Sequence, residues 1–469
     1  MKNTTMDEIV ALCKRRGFVY PSSEIYGGLA NAYDYGPYGV ELLRNIKNLW
    51  WKEFIQDRED MVGVDSQIIL HPQTWIASGH VSSFSDPLVE DKVSHLRYRA
   101  DHLLEKWLEK QKKAQKTEFL DIVVENLSVE ELGEFIQKHK IKSPEGNELT
   151  APKKFNLLFE TYLGVVAGEK AKVYLRGETA QGIFLNFKNV INSQRVKLPF
   201  GIGQIGKSFR NEITTGQFIF RTFEFEQAEI EYFINPHKDN WQEIFQSWRE
   251  AMWSFITKTL GVKEENLRWR QHTDKERSHY SKDTYDLDYQ FPFGWKELWG
   301  IAYRTDYDLK QHSAFSGQKL TYKDPQTGEE FIPHVVEPAL GINRVFLMLL
   351  TDCYKEEMIN DKPRVYLSLP PKLAPVKLAV FALQKDEKLK KEAEKIYQKL
   401  KKYWQCEFDD SGNIGKMYRR QDEIGTPYCV TVDYECITDQ SVTVRERDSM
   451  KQERVKIEQL VEYFAEKLS

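Results

Sequence analysis

The chain has 469 residues, too many for one ordinary hydrophobic core, so two or three domains are expected. Its 41% hydrophobic and 29% charged content excludes a disordered polymer, and the apolar run from Val345 to Leu350 is far too short to cross a membrane. A formal net charge of −4 removes any argument from overall basicity but leaves room for a local phosphate-binding patch.

Met1 to Arg16 is a mixed-charge helical stretch without the pattern of a secretory signal, which points to a cytoplasmic address. Cys13, Cys353, Cys406, Cys429 and Cys436 form no Cys-x-x-Cys pair, and the histidines form no His-Glu-x-x-His. No metal is expected on cysteines or histidines; even His71 with His80, or His95 with His102, read better as solvated or core-satisfied rings. Residues 17 to about 100 mix turns and helix: Tyr33-Asp-Tyr-Gly-Pro-Tyr-Gly39 is a turn cluster, and Val40 to Phe54 a helix. From about 100 to 165 the pattern is a helical insertion. Ala100 to Lys116 is one helix, Ser128-Val-Glu-Glu131 is a capping box opening another, and Ser143 to Pro152 is a loop.

From Lys172 to about 350 the chain is strand-rich. Phe218 to Phe233 alternates as a half-buried strand, Trp241 to Leu260 is an amphipathic helix, Trp299 to Leu309 a strand, and Asn343 to Tyr354 an apolar helix. Prolines between Asp361 and Pro375 mark a domain boundary, placed after residue 362. Beyond it come a strand (Val376 to Leu383), a helix (Asp386 to Trp404), a short helix (Lys416 to Glu423), strands at Tyr428 to Asp433 and Ser441 to Arg445, and a closing helix (Val455 to Leu468). The whole reads as an α/β multidomain chain, residues 363–469 forming a compact α/β module.

Gly201-Ile-Gly-Gln-Ile-Gly-Lys-Ser208 fits two phosphate-loop patterns. Both require a helix next, because the phosphate rests on its N-terminus. Ser208 to Phe233 instead alternates with period two, so the glycines are expected to turn the backbone into a hairpin strand. A phosphate-loop ATPase stays open as an alternative, to be exposed by hydrolysis that Lys207→Ala abolishes.

The chemistry-bearing hairpin is Phe209-Arg-Asn-Glu-Ile213, the polar loop Thr214-Thr-Gly-Gln217, and Phe220 onward. Strand side chains alternate, so Arg210 and Glu212 share one face of the first strand, and Phe225, Gln227 and Glu229 one face of the second. A guanidinium fork suits phosphate, an aromatic plane suits a base, and carboxylates suit an ammonium group. The bland alternative is a charged cross-strand ladder on an exposed sheet. Farther on, a strand ends at Glu337-Pro338 and a helix starts near Asn343. That places Arg344 in a first helical turn, where the helix dipole disfavours a cation unless an anionic partner visits.

Phe209-Arg-Asn-Glu212 with Phe220-Arg-Thr-Phe-Glu-Phe-Glu-Gln227 resembles motif 2 of class II aminoacyl-tRNA synthetases, and Glu337-Pro-Ala-Leu-Gly-Ile-Asn-Arg344 resembles motif 3. Six further stretches are similar to the homodimeric glycyl branch of that class. They are Ser22-Ser-Glu-Ile-Tyr-Gly-Gly28, Tyr33-Asp-Tyr-Gly-Pro37, Ala77-Ser-Gly-His-Val81, Arg99-Ala-Asp-His102, Arg176-Gly-Glu-Thr-Ala-Gln-Gly182 and Arg304-Thr-Asp-Tyr-Asp-Leu309. The resemblance implies a class II catalytic domain over 1–362, an antiparallel sheet flanked by helices with the insertion at about 100–165. It implies a mixed-sheet anticodon-binding domain over 363–469. It also implies activation of glycine with ATP, transfer to tRNA(Gly), and a homodimer with its interface on Tyr33 to Trp51, with neither DNA nor membrane as partner.

By the same resemblance, Arg210, Glu212 and Arg344 carry catalysis: Arg210 on the α-phosphate and glycine carboxylate, Glu212 near the adenine amino group, and Arg344 on the γ-phosphate. ATP is contacted by these three and by Asn211, Phe220, Arg221, Thr222, Phe223, Glu224, Phe225, Glu297, Leu298, Gly341, Ile342 and Asn343, with Mg2+ on its phosphates. Phe225 stacks on adenine. Glycine is contacted by Arg99, Glu178, Phe225, Glu226, Gln227, Ala228, Glu229, Glu337, Pro338, Ala339, Leu340 and Gly341. Rejection of alanine has to be steric, since one methylene is worth only ~1–3 kcal/mol of binding. Four departures from the family pattern stand out: Phe223 for a usual Arg, Ala339 for Ser, Gly177 for Pro, and no cysteine pair in Val89 to Arg97, which removes zinc from that region. A non-catalytic relative, similar to the accessory subunit of mitochondrial DNA polymerase, is the binding-class alternative. Duplex DNA binding without pyrophosphate exchange would mark it.

Overall fold

In a computed structural model the chain is described except for residues 1–3, 120–121, 123, 125–126, 165–170, 214–216, 275–276, 278–280, 412 and 469. A seven-stranded sheet carries the first part. Its strands are β1 (Met61–Gly63), β2 (Phe200–Phe209), β3 (Glu224–Ile234), β4 (Leu267–Gln271), β5 (Asp283–Phe291), β6 (Gly294–Thr305) and β7 (His334–Gly341). They run in the order β4-β5-β6-β7-β3-β2-β1, antiparallel apart from the β2–β1 pair.

One face of this sheet makes the main core. Helix α1 (Met6–Arg16) and helix α2 (Pro37–Trp51) pack there, with helix α6 (Trp241–Ser254) and helix α8 (Ile342–Cys353). Trp50, Phe54, Trp248, Phe255 and Trp299 interlock at its centre, with ring centroids 5.3 to 6.1 Å apart along the chain of contacts through Phe54. Aromatic clusters of this kind contribute beyond their buried area. A second core gathers helix α5 (Ala180–Ser193) against Phe200, Phe233 and Leu309.

The glycine-rich run is not a turn into a strand; it is strand throughout. An added Cβ on Gly201 would meet Met61 at 2.3 Å, on Gly203 it would meet Ile55 at 2.3 Å, and on Gly206 the guanidinium of Arg176 at 2.2 Å. Met61 and Ile55 crowd one face of the strand and Arg176 the other, so any side chain there would have to displace them, which explains the glycines without a phosphate. Lys207 points outward and pairs with Glu224 on the neighbouring strand.

Other expectations shift as well. Phe218–Phe220 is a 3-10 turn entered through left-handed Gln217 and Phe218, so the strand begins only at Glu224. The expected loop at Thr214 lies mostly outside the described residues, Gln217 alone being described. Strand β6 ends at Thr305, left-handed at φ 56°, and helix α7 (Tyr307–Ser316) already holds Leu309. The insertion is helical over α3 (Ala100–Lys113) and α4 (Val129–Lys138), the latter opened by the capping box of Ser128 and Glu131, but strands follow at Lys153–Asn156 and Glu160–Leu163.

A hairpin of β8 (Tyr354–Ile359) and β9 (Lys362–Leu367) leads to the C-terminal sheet, so residue 362 falls inside a strand. That sheet runs β11 (Cys406–Asp409), β10 (Leu378–Ala382), β12 (Tyr428–Val432), β13 (Ser441–Glu446), β14 (Gln452–Lys456). Its first two pairings are parallel and its last two antiparallel. Strand β14 was hidden in the sequence because only Val455 is buried, and the closing helix is shorter than expected, Leu460–Lys467. Helix α9 (Ile414–Ile424) ties this module to the rest: Asp422 is fully buried between Arg364 and Arg445, while Glu423 meets Arg15 and Arg16.

Candidate active site

The second face of the sheet carries the polar residues. Period-two alternation sends Ala228 and Ile230 into the main core and turns Phe225, Gln227, Glu229 and Glu231 the other way. Register sets Gln227 opposite Gly341 and Glu229 opposite Ala339, and β6 brings Ala302 beside Glu337. Beyond Phe209 the ladder stops: the Arg210 N–H still reaches Phe223, but the Asn211 N–H turns to the Leu157 carbonyl. Arg210 and Glu212 therefore stand on irregular backbone rather than a strand, and still face the same cavity as Glu229 and Arg344.

That cavity, about 180 Å³, is lined by Glu178, Arg210, Glu212, Phe220, Arg221, Thr222, Phe225, Glu226, Gln227, Glu229, Glu297, Glu337, Ala339, Gly341, Asn343 and Arg344. All were expected there. Larger grooves of 740 and 790 Å³ lie in the insertion and beside α1, but size does not locate chemistry; convergent, perturbed groups do.

The cavity has two unlike ends. At one, Arg344 sits 4.6 Å over the Phe220 ring and is held by Glu297, 3.0 Å to the carboxylate and 3.1 Å to the backbone oxygen. Burial would raise the Glu297 carboxyl, but Arg344 and Arg210 outweigh it and keep the group below the usual range. Arg210 lies 5.3 Å from the Phe225 ring and 5.2 Å from Phe84, with its Nε donating to the Gly177 carbonyl at 3.1 Å. Arg210, Arg221 and Arg344 with the Phe220 and Phe225 rings on the cavity wall make an anion-and-base end.

At the other end carboxyls outnumber cations. Glu178, Glu229, Glu231, Glu337 and Asp308 are all buried, and Arg304 sits among them. Arg304 donates to Glu337 at 2.6 Å and twice to Asp308 at 2.8 Å, and lies 4.0 Å from Glu178. Burial raises Glu178, yet His80, Arg304 and Gln181 overcome it and hold the group well below the ordinary range. Burial and the neighbouring carboxylates push Glu337 up to about 8 despite Arg304. Glu229 is raised by burial and by Glu178, with the Thr179 hydroxyl and N–H donating to it. Glu231 is pushed well above its ordinary value by burial and by Glu337, and neither of its oxygens has a hydrogen bond among the described residues. One small cation would relieve this surplus.

Several expected contacts lie elsewhere. Arg99 binds Asp86 at 2.8 Å and Asp101 at 2.5 Å and is not on the cavity wall. Ala228, Leu298, Leu340 and Ile342 put their side chains into the main core, the face opposite the site. Pro338 is buried in β7, Asn211 and Phe223 lie off the cavity, and Glu224 faces solvent with Lys207. Phe223 instead packs edge-on against Phe159, centroids 6.0 Å apart. Gly177 leaves room for Phe84, whose ring would be 3.1 Å from an added Cβ. Asn343 and Glu226 are fasteners at the rim: Asn343 accepts from the Glu226 N–H at 2.7 Å and donates to the Tyr35 hydroxyl, and Glu226 pairs with Lys47.

Sequence reasoning gave no role to His80, Thr179, Gln181, Glu231, Arg304, Asp308 or His312. The signal was present for one pair: Arg304 at the end of β6 and Asp308 in the first turn of α7 are opposite charges four apart, a spacing that suits an ion pair.

Residues 164–353 match the tRNA synthetase class II core domain (G, H, P, S and T), and residues 377–467 match the anticodon binding domain. The chain is 54% identical over 466 residues to a glycine–tRNA ligase of Caldanaerobacter subterraneus subsp. tengcongensis, covering 99% of this chain and 98% of the relative. It is 53% identical to a glycine–tRNA ligase of Acetivibrio thermocellus, covering 98% of each. The chain belongs to the glycine–tRNA ligase family. Its fold also matches a prolyl-tRNA synthetase from Cryptosporidium parvum, solved with halofuginone and AMPPNP, at TM-score 0.62 and 15% identity, covering 100% of this chain and 77% of that one. Among the described residues no helix of this glycine–tRNA ligase family member is long and apolar enough to cross a membrane.

Proposed function

We propose that this chain joins glycine to ATP as glycyl-adenylate, releasing pyrophosphate, and then transfers the glycyl group to the 3′ end of tRNA(Gly). The two-ended cavity carries this reading: arginines and aromatic rings at one end, surplus buried carboxyls at the other. Glycine enters with its ammonium toward Glu178, Glu229 and Glu337. A glycine carboxylate oxygen attacks the α-phosphorus, and the bond from that phosphorus to the β-phosphate bridging oxygen breaks. Arg210, at the anion-binding end, meets the charge growing on the α-phosphate, where a fixed cation acts most strongly. Arg344 exchanges its Glu297 partner for the γ-phosphate and draws pyrophosphate away. Phe225 offers its ring to adenine, with Glu212 toward the amino group.

Mg2+ would supply counter-charge to the ATP phosphates; Glu297, held below the usual carboxyl range at that end of the cleft, is one carboxylate that would suit such a hard cation. Residues 1–362 act as the catalytic domain, with the insertion at about 100–165, and 363–469 reads the anticodon. The setting is cytoplasmic. A homodimer formed through Tyr33 to Trp51 is expected, and sedimentation should give twice the 55.2 kDa chain mass; a monomer at working concentration contradicts it.

Arg210→Ala should lower glycine-dependent pyrophosphate–ATP exchange by about 100- to 1,000-fold while leaving tRNA binding intact. Near-normal exchange in that variant overturns the role given to Arg210. The raised Glu337 carboxyl gives a pH dependence. An ammonium binds the ionised form, which fills as pH rises through about 8. KM for glycine should therefore fall by roughly an order of magnitude between about pH 6.5 and 8.5, and Glu337→Gln should flatten that fall.

A further inference from the structure

Against the carboxyl end of the cavity stands a histidine that the reaction above does not use. Two short helices, Pro72–Ala77 and His80–Ser83, meet at Gly79. His80 follows, 7% exposed, its ring 5.2 Å from Trp75 and 5.1 Å from Phe84. Its Nδ1 lies 2.8 Å from the Ser78 hydroxyl and its Nε2 faces Glu178 Oε2 at 3.4 Å. The other oxygen of Glu178 accepts from Gln181 Nε2 at 2.9 Å. Gln181 is itself fixed, donating also to Asp308 at 3.0 Å and meeting His312 Nε2 through its carbonyl at 2.7 Å. One oxygen of Glu178 thus faces His80, while the other faces Gln181 and, at 4.0 Å, Arg304.

The terminal torsion of a glutamate is broad and soft, so a carboxylate pinned on one side only can turn. Gln181 and the more distant Arg304 both address Oε1, and without His80 the second oxygen of Glu178 is free to rotate away from the cavity. We infer that His80 is a positioning residue: its Nε2–H fixes the edge of Glu178 that meets the glycine ammonium. This rests on the function proposed above. The ring donates from Nε2 in two of its three protonation states: neutral with Nδ1 accepting from the Ser78 hydroxyl, and doubly protonated. The contact is long in the free protein, as catalytic hydrogen bonds often are before the ligand arrives.

Two amide replacements separate positioning from packing. A glutamine amide nitrogen falls at the Nε2 position, an asparagine amide at the Nδ1 position. His80→Ala and His80→Asn should raise KM for glycine by about 10- to 100-fold, the loss of a hydrogen bond to a charged group, with KM for ATP changed less than about twofold. His80→Gln should restore most of the glycine KM. Equal behaviour of the Gln and Asn variants, an ATP KM that rises in step with the glycine KM, or an unchanged glycine KM overturns the inference. Absence of glycine-dependent exchange in the unmodified chain is a different result: it removes the proposed function, and this inference with it.

Discussion

One guanidinium sits among more buried carboxyls than it can pair. Arg304 is 1% exposed and bonds to Glu337 and Asp308, with Glu178 at 4.0 Å and Glu229 and Glu231 close enough to feel its charge. Taking ions from water costs several kcal/mol each in effective terms, repaid only when partners are well placed. Here the repayment is deliberately incomplete. Glu178 is satisfied and charged, Glu337 is held near neutrality, and Glu231 has no hydrogen bond among the described residues. The surplus is a standing demand for one more small cation, and the ammonium of the smallest amino acid meets it. A ligand without a side chain can be gripped only by its charged ends, so strain in the empty pocket becomes affinity in the filled one.

The sheet makes this possible by dividing its labour between two faces. Strand β3 spends alternate residues on the aromatic core and on the cavity, so the same strand that is locked by Ala228 and Ile230 holds Gln227 and Glu229 rigidly in place. Glycines on β2 allow close approach on both sides, including that of Arg176, whose guanidinium stitches Lys207 and Ser66 together behind the site. The arginines that serve the other end are parked on aromatic rings and on Glu297, positions from which an incoming phosphate can take them.

Much of this was legible in the residues alone. Alternation from Glu224 onward gave the face shared by Phe225, Gln227 and Glu229, because a strand has one period and no choice. Resemblance supplied the partners that lie far off in sequence, Glu178, Glu337 and Arg344, which do reach the same cavity. What failed was judgement of direction within a motif. Leu340 and Ile342 sit inside the motif 3 stretch, and Ala228 and Leu298 stand next to expected contact residues, yet all four face the core; Arg99 turns to Asp86 and Asp101. The His80, Gln181 and His312 layer was illegible because its parts come from separate helices, and only packing brings them together. Strand β14 escaped notice because an edge strand with one buried residue carries no alternation to read.

The account stands on where an ammonium group rests. A crystal structure of the chain with a non-hydrolysable glycyl-adenylate analogue measures that directly. The amine should lie within hydrogen-bond distance of carboxylates from Glu178, Glu229 or Glu337, with the adenine on the Phe225 ring. An amine resting away from those carboxylates, or an analogue bound outside the cavity that Arg210 and Arg344 line, would contradict it.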